Sequence, residues 1–172
     1  MQQRETSTAV VGCSAFAACM KLMLEAWWIV VGRVGLIRDD LYTKTRNYHW
    51  NVVGEHFRDL HKLLEEQYEQ LEEAIDLVAE RSRQLGAPAL GTLKEFLDHA
   101  SLKEQPGDYP DAFTMLSNLC GDHESVIKWL RKSADDCDEK YHDMGTNDFL
   151  IGLMQEHEKM AWMLRSYLEE RV

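Results

Sequence analysis

Residues 44–88 read KTRNYHWNVVGEHFRDLHKLLEEQYEQLEEAIDLVAERSRQLGAP, and they contain the clearest helical pattern of the chain. Gly54 marks a break, after which apolar residues recur at steps of three or four. That period is typical of an amphipathic helix, here over residues 56–85. Gly86 and Pro88 follow as a helix stop signal. The predicted core seam of this helix comprises Phe57, Leu60, Leu64, Tyr68, Leu71, Ile75 and Val78.

The same period continues on both sides of this stretch. Upstream, apolar positions from Met20 to Tyr48 predict a first helix. Gly32 and Gly35 lie inside it, and each costs about 1 kcal/mol relative to Ala. Downstream, the connection over residues 86–109 contains a short amphipathic piece at Leu93–Leu97.

Two more helices follow this connection. A third helix is expected to carry Pro110 in its first turn and an apolar face from Phe113 to Cys137. The segment HDMGTN breaks it, and Thr146 is expected to cap a fourth helix whose seam runs from Leu150 to Leu168. Because no strand pattern appears, the sequence predicts an all-α four-helix bundle, in which the long connection could run from one end to the other.

Composition indicates a soluble globular protein of one domain. The chain has 172 residues, of which 45% are hydrophobic and 28% charged. We expect residues 1–19 to form a tail of uncertain structure and residues 20–172 to form the domain. The formal net charge is −11, and no local basic patch offsets it. Such a chain disfavours non-specific binding to nucleic acid at neutral pH and suits a protein that attracts cations.

Cysteine usage and the N-terminal sequence favour a reducing, cytoplasmic location. Four cysteines are present without a CxxC pair, which argues against a secreted disulfide scaffold: Cys13, Cys19, Cys120 and Cys137. Residues 9–20 are apolar, but the preceding MQQRETST lacks the basic region of a secretory signal. Lys21 and Glu25 interrupt the apolar stretch that continues to Val31, so no membrane span is predicted.

A polar stripe flanks the apolar seam of the second predicted helix. Asp76 and Glu80 are one turn apart and about 40° apart around the axis, so together they can hold a hard cation. His61 lies fifteen residues before Asp76, which is about 22 Å along a straight helix. Within one chain, His61 and Asp76 therefore cannot share a metal ion.

Rotation around the helix axis nevertheless places His61 only about 60° from Asp76. If two copies of the helix packed antiparallel across a two-fold axis, His61 of one copy would meet Asp76 and Glu80 of the other. His49, before the break at Gly54, could fold back beside His61. Two His and two carboxylates suit Fe(II), with Zn(II) or Mn(II) as competitors. The alternative is a solvated polar flank with two ordinary histidines.

The order and spacing YHWNV…G…F…LH…EEQY…D…AER in residues 44–88 resembles the Dps family. These are miniferritins of the ferritin-like superfamily, named as DNA-binding proteins from starved cells. The similarity continues more loosely through GTNDFL and HEKMAWMLRSYL and covers about residues 41–170. Residues 1–40 depart from the usual first helix of the family.

The resemblance implies a ferritin-like bundle with a short extra helix in the long connection, assembled into a hollow shell of twelve subunits. It implies a ferroxidase that oxidises Fe(II), with hydrogen peroxide preferred over O₂, stores the ferric mineral and protects against oxidative stress. Each site, at a two-fold dimer interface, would take two iron ions. Carried over by position, two histidines of one chain and two carboxylates of the other are the ligands: His49, His61, Asp76 and Glu80.

Three further residues acquire roles through the resemblance. Trp50, beside the first histidine, matches a tryptophan that can give an electron to stray oxidant. Asp148, in NDFL, matches an aspartate that lines the three-fold pore through which iron enters, and Asp143 is a weaker second candidate. Asp148 also has a structural explanation, because a carboxylate in the first turn of a helix stabilises the helix dipole.

Other candidate residues are better explained by structure. Glu139 and His142 form a single ExxH motif, whereas a di-iron site in a bundle core needs two. Cys120, His123 and His157 fall on apolar seams, as core residues do.

Two other functions remain open. A DNA-compacting nucleoid protein with little catalysis would need basic tails, but the first 25 residues hold only Arg4 and Lys21 as basic residues. The other is a helical shell that binds iron or zinc without turnover.

Overall fold

A computed structural model of the protein describes residues 33–99 and 107–169. These residues form four long helices and one short one, and none of them lies in a β-strand. The predicted all-α bundle with a short helix in its long connection is confirmed. The predicted tail and the first helix from Met20 to Gly32 lie outside the described residues. The helices are α1 (Arg33–Asn51), α2 (Phe57–Gln84), α3 (Leu93–His99), α4 (Ala112–Glu139) and α5 (Met144–Glu169).

Contacts between side chains define the directions of the helices. Lys44 Nζ lies 2.6 Å from Asp122 Oδ2, and Asn118 Nδ2 donates to the Tyr48 hydroxyl at 3.2 Å. Since the α1 number falls as the α4 number rises, α1 and α4 are antiparallel. The short turn after α1 makes α2 antiparallel to α1 as well. Helices α2 and α4 are therefore parallel, and the connection that contains α3 crosses from one end of the bundle to the other.

The hydrophobic core draws on all four long helices. Burying a leucine side chain contributes about 1.5–3 kcal/mol, so these contacts provide the main stabilisation of the bundle. The predicted seam of α2 is buried at four positions, but Phe57 remains 45% exposed and Tyr68 and Ile75 are only partly buried. Side chains that are fully or almost fully buried include Leu41, Leu64, Leu71, Leu119, Leu130, Leu150 and Leu164.

The start of α4 differs from the prediction by two residues. Asp111 is the N-cap, and its side chain accepts hydrogen bonds from the backbone N–H groups of Phe113 at 2.9 Å and Thr114 at 3.2 Å. Pro110 thus precedes the cap and does not lie in the first turn. The carboxylate satisfies two helix-end donors at once, which a proline at that position cannot do.

The start of α5 also corrects a prediction. The helix begins at Met144, and Asp143 Oδ1 accepts from the Thr146 backbone N–H at 2.9 Å. Asp143, and not Thr146, therefore caps the helix. As a result, Asp148 lies beyond the first turn, where the helix dipole stabilises a carboxylate only weakly.

The two histidines on apolar seams are core residues, as predicted. His123 on α4 and His157 on α5 are both fully buried, and their Nδ1 atoms are 2.9 Å apart. A hydrogen bond between two ring nitrogens requires one donor and one acceptor, so at least one of these rings is neutral. Cys120 is buried in the same core.

The ExxH motif does not form a helical pair of ligands. Glu139 is the last residue of α4 and is exposed, whereas His142 lies past the end of the helix with a positive φ of 52°. A di-iron site in the bundle core would require both on one inward helix face. Within residues 33–99 and 107–169, no helix has both the length and the apolar character of a membrane span.

Candidate metal site

The turn between α1 and α2 brings two predicted ligands together. His49 lies in the last turn of α1, and His61 lies near the start of α2. Between them, Gly54 adopts a φ of 119°, a conformation that side chains with a Cβ rarely adopt. The tight turn stacks the two imidazoles, with centroids 3.8 Å apart and planes at 21°.

A reciprocal pair of hydrogen bonds fixes both rings. His49 Nδ1 donates to the His61 carbonyl at 2.8 Å, and His61 Nδ1 donates to the His49 carbonyl at 2.9 Å. Because a carbonyl oxygen only accepts, each Nδ1 must carry the proton, which leaves the lone pair of each neutral ring on Nε2. Histidines that bind metals are oriented in this way, through a hydrogen bond from the other ring nitrogen. The pair therefore offers two nitrogen ligands of defined tautomer.

The carboxylates Asp76 and Glu80 lie elsewhere on the same helix. Both are exposed, and because α2 is continuous from Phe57 to Gln84, Asp76 lies about 22 Å from His61 along the axis. Among the described residues of one chain, no three His, Cys, Asp or Glu side chains are grouped so that they could hold a metal ion. The structure thus brings the two histidines together and leaves the carboxylates apart from them.

A group of aromatic rings around one guanidinium lies beside the histidines, and of its members the sequence predicted a functional role for Trp50 alone. The Tyr68 ring contacts His49 edge-on, with centroids 5.2 Å apart, and the Arg46 Cζ lies 5.5 Å from the centroid of Tyr68. Arg46 also faces Tyr42 and Trp50. The spacing Tyr42, Arg46, Trp50 repeats every four residues on α1, and this was the signal that could have revealed the group.

Phe57 completes the apolar surroundings of the pair. Its ring centroid is 5.2 Å from that of His61, and the side chain is 45% exposed in the single chain. Trp50, next to His49 in the sequence, is 65% exposed. Large apolar groups therefore lie at the surface immediately beside the two candidate nitrogen ligands.

The predicted pore residues lie around the start of α5. Arg81 of α2 anchors this region, because its Nε and Nη2 donate to Thr146 Oγ1 at 3.2 and 2.8 Å. Its Nη2 is also 3.9 Å from Asp143 Oδ1. Asp143 is thus held by the helix it caps and by an ion pair, whereas Asp148 is exposed.

Comparisons with known proteins agree with this architecture. The profile of the ferritin-like domain matches residues 40–172. The chain is 49% identical over 144 residues to an uncharacterized low temperature-induced protein of Nostoc sp., with 80% of each covered. It is 35% identical over 131 residues to DNA protection during starvation protein 2 of Bacillus anthracis, covering 76% of this chain and 88% of the relative.

Solved structures show the same fold. Dps from Thermosynechococcus elongatus superposes with a TM-score of 0.79 at 29% identity, over 90% of this chain and 95% of the other. The Dps protein of Vibrio cholerae, described as a member of a broad superfamily of ferritin-like diiron-carboxylate proteins, gives a TM-score of 0.78 at 26% identity. That match covers 96% of this chain and 99% of the other.

Proposed function

The chain belongs to the Dps family of ferritin-like proteins, and from that premise we propose that it is a ferroxidase that stores iron. Membership supports iron storage and DNA protection in general. The finer proposal is that Fe(II) is oxidised at sites shared by two copies of the chain. Hydrogen peroxide is the preferred oxidant, and the ferric product collects inside a shell of twelve subunits. A cytoplasmic location remains a prediction from the sequence.

The observation that carries this proposal is the reciprocal bonding of His49 and His61. In its neutral form each imidazole carries its lone pair on Nε2, where it can bind a cation. Hydrogen bonds to backbone carbonyls already hold both rings in place, so the two side chains need little further ordering when Fe(II) binds. Imidazole nitrogens with carboxylate oxygens form a ligand set that suits Fe(II).

The missing carboxylates would come from a second copy. Asp76 and Glu80 are exposed about 22 Å along α2 from the histidines, so antiparallel α2 helices across a two-fold axis would bring them to His61 of the partner copy. The exposed rings of Trp50 and Phe57 beside the histidines give that partner an apolar surface to cover. A two-fold contact then creates two equivalent sites.

Such a site would carry out a balanced two-electron reaction. Two Fe(II) ions, which are the substrate, each give one electron to hydrogen peroxide. The O–O bond breaks, two protons are taken up and two waters leave. The net charge of −11 attracts Fe(II), and Asp148, with Asp143 as the second candidate, would line the pore through which it enters. Trp50 would donate an electron to oxidant that escapes the main reaction.

Rapid mixing of the assembled protein with Fe(II) and peroxide tests the proposal. His61→Ala and Asp76→Ala should each abolish fast Fe(II) oxidation, since the four ligands act together. His142→Ala and Glu73→Ala are matched controls, because both side chains are exposed and lie outside the proposed ligand set. Size-exclusion chromatography checks that the variants assemble.

The possible outcomes separate the proposal from its alternatives. Unchanged rates in both ligand variants would contradict the site assignment. Loss of assembly would make these residues interface structure. A wild-type protein that binds iron without oxidising it would be a metal-buffering shell.

A further inference from the structure

A cluster of three aromatic rings around Arg46 lies against the histidine pair, and the proposed reaction of two Fe(II) ions does not need it. We propose that Tyr68 is redox-active: it gives one electron to hydrogen peroxide when a site holds a single Fe(II), and it shares the resulting radical with Tyr42. The inference rests on the proposed ferroxidase function. It adds tyrosines to the tryptophan as electron donors.

The contacts form a continuous path from the proposed ligands to the protein surface. The Tyr68 ring is 5.2 Å from the His49 ring, with the planes at 78°. Tyr42 contacts Tyr68 in the same edge-to-face manner, with centroids 6.1 Å apart at 86°. The guanidinium of Arg46 joins both tyrosines to Trp50, whose centroid is 5.2 Å from Cζ. Tyr68 is thus a tyrosine whose ring contacts that of a proposed iron ligand.

The chemistry explains why a donor is needed at this place. Peroxide accepts two electrons, but a single Fe(II) supplies only one, and the unpaired product is a hydroxyl radical. If Tyr68 supplies the other electron, Fe(II), the phenol, peroxide and one proton yield Fe(III), a neutral phenoxyl radical and two waters. The O–O bond breaks, and the phenol proton with the added proton completes the two waters. No hydroxyl radical is released.

The charges around the cluster favour tyrosine over tryptophan as the place where the radical rests. A guanidinium 5.2 Å from Trp50 opposes a positively charged indole radical, whereas a neutral phenoxyl radical is not opposed. Arg46 also donates a hydrogen bond to the Tyr42 hydroxyl.

A second Fe(II) ion restores the resting state. It gives one electron to the phenoxyl radical and leaves as Fe(III), while the phenoxyl oxygen takes up one proton to reform the phenol. The overall ratio of two Fe(II) per peroxide is unchanged. The cluster therefore allows the two iron ions to arrive at different times.

Freeze-quench electron paramagnetic resonance of the assembled protein tests this inference. With one Fe(II) per site and one peroxide, wild type should give a phenoxyl signal that narrows when the protein contains ring-deuterated tyrosine. With two Fe(II) per site the signal should fall, because iron supplies both electrons. Tyr68→Phe should lose the signal at the lower loading and raise the yield of a hydroxyl-radical spin adduct several-fold. Tyr109→Phe is the control, since Tyr109 is 61% exposed and precedes α4.

Each result decides between the possibilities. An unchanged signal and spin-adduct yield in Tyr68→Phe would overturn the role of Tyr68. A radical that does not narrow with deuterated tyrosine, and that is lost in Trp50→Phe, would overturn it as well, without depending on how Tyr68→Phe folds. Fast iron oxidation without any phenoxyl signal defeats this inference alone. Absence of fast oxidation in wild type defeats the proposed function and the inference with it.

Discussion

His49 and His61 each use one ring nitrogen for a hydrogen bond to a backbone carbonyl, which leaves the other nitrogen available for a ligand. Their spacing of twelve residues across the Gly54 turn suggested that they could meet. The exchange of two Nδ1–carbonyl hydrogen bonds could not be predicted, because it depends on the path of the backbone through the turn. The tautomer of both rings, which decides which nitrogen is available to a metal ion, is therefore a property of the fold.

The ionisation of the buried Cys137 thiol leads to a prediction about the stability of the fold at high pH. Burial in the core, followed by the charges of Asp143 and Asp136, raises the pKa of this thiol from 9.0 to about 11. The folded state thus holds a proton that the unfolded chain releases at lower pH. The protonated thiol therefore contributes about 3 kcal/mol to the free energy of unfolding. This contribution is fully present below pH 9 and is lost as the pH rises towards 11.

Thermal unfolding of wild type and Cys137→Ala between pH 8 and pH 11 measures this effect. The alanine variant is less stable at the lower pH, because it leaves a cavity. The difference between the two proteins should shrink as the pH rises, since only wild type loses the contribution of the protonated thiol. Parallel stability curves across this range would contradict the assignment.

The helices themselves could be predicted from periodicity, whereas their first residues could not. Apolar residues at steps of three and four predicted α2, α4, α5 and the short α3. This works because burial of one helix face dominates the stability of these helices. Helix starts depend on single side chains that compete to cap the end. At α5 the carboxylate of Asp143 caps the helix, whereas the sequence analysis predicted the hydroxyl of Thr146. Aspartate and threonine are both favoured at N-cap positions, so the sequence alone does not distinguish them.

The candidate site was predictable where it depends on one helix or on the short turn after α1. The separation of His61 from Asp76 follows from the helical rise, and the continuous α2 supports it. The ring cluster around Arg46 was missed, since Tyr68 fits the apolar period of α2 and was assigned to the core. Tyr68 is only partly buried and contacts His49, so a side chain at the edge of a seam can also face a neighbouring cluster.

The start of α5 separates two roles for its aspartates. Asp143 caps the helix, so Asp143→Ala should lower the unfolding free energy by about 1 kcal/mol, while Asp143→Ser should retain most of it because serine also caps. Differential scanning calorimetry of the assembled variants measures both changes. Equal destabilisation by alanine and serine would show that the ion pair with Arg81, and not the cap, is what matters.

Asp148 is predicted to act through its charge and not through the helix dipole. It is exposed and lies beyond the first turn, and the resemblance to the family implies that it lines a negative pore at a three-fold axis. Asp148→Asn should slow iron uptake, most strongly at low ionic strength, and leave thermal stability unchanged. Wild-type uptake by this variant at every salt concentration would refute the pore assignment.

The charge of the whole chain bears on the DNA-compacting alternative. With a net charge of −11 we expect no binding to double-stranded DNA at neutral pH and moderate salt, because phosphate and protein repel each other. Gel-shift and sedimentation assays of the assembled protein measure this. Weak binding is expected only on acidification, when histidines gain charge. Tight, salt-sensitive binding at neutral pH would show that assembly creates a basic surface.

Mixed assembly of two variants tests whether the ligands of one site come from two chains. This prediction rests on the distance between His61 and Asp76 along α2. A variant without His49 and His61 and a variant without Asp76 and Glu80 should each be inactive alone. When the two are dissociated, mixed in equal amounts and reassembled, half of the dimers should contain one chain of each kind. Such a dimer has one site with no ligands and one with all four, because the histidines of one chain face the carboxylates of the other.

Randomly mixed shells should therefore regain ferroxidase activity at up to about a quarter of their sites. Native mass spectrometry shows whether mixed shells formed, and reassembly of either variant by itself is the control for incomplete removal of ligands. A site built within one chain predicts no recovery at any mixing ratio. His61 and Asp76 are about 22 Å apart along α2, so the two-fold arrangement requires that they come from different copies. Absence of recovery in confirmed mixed shells would therefore exclude that arrangement.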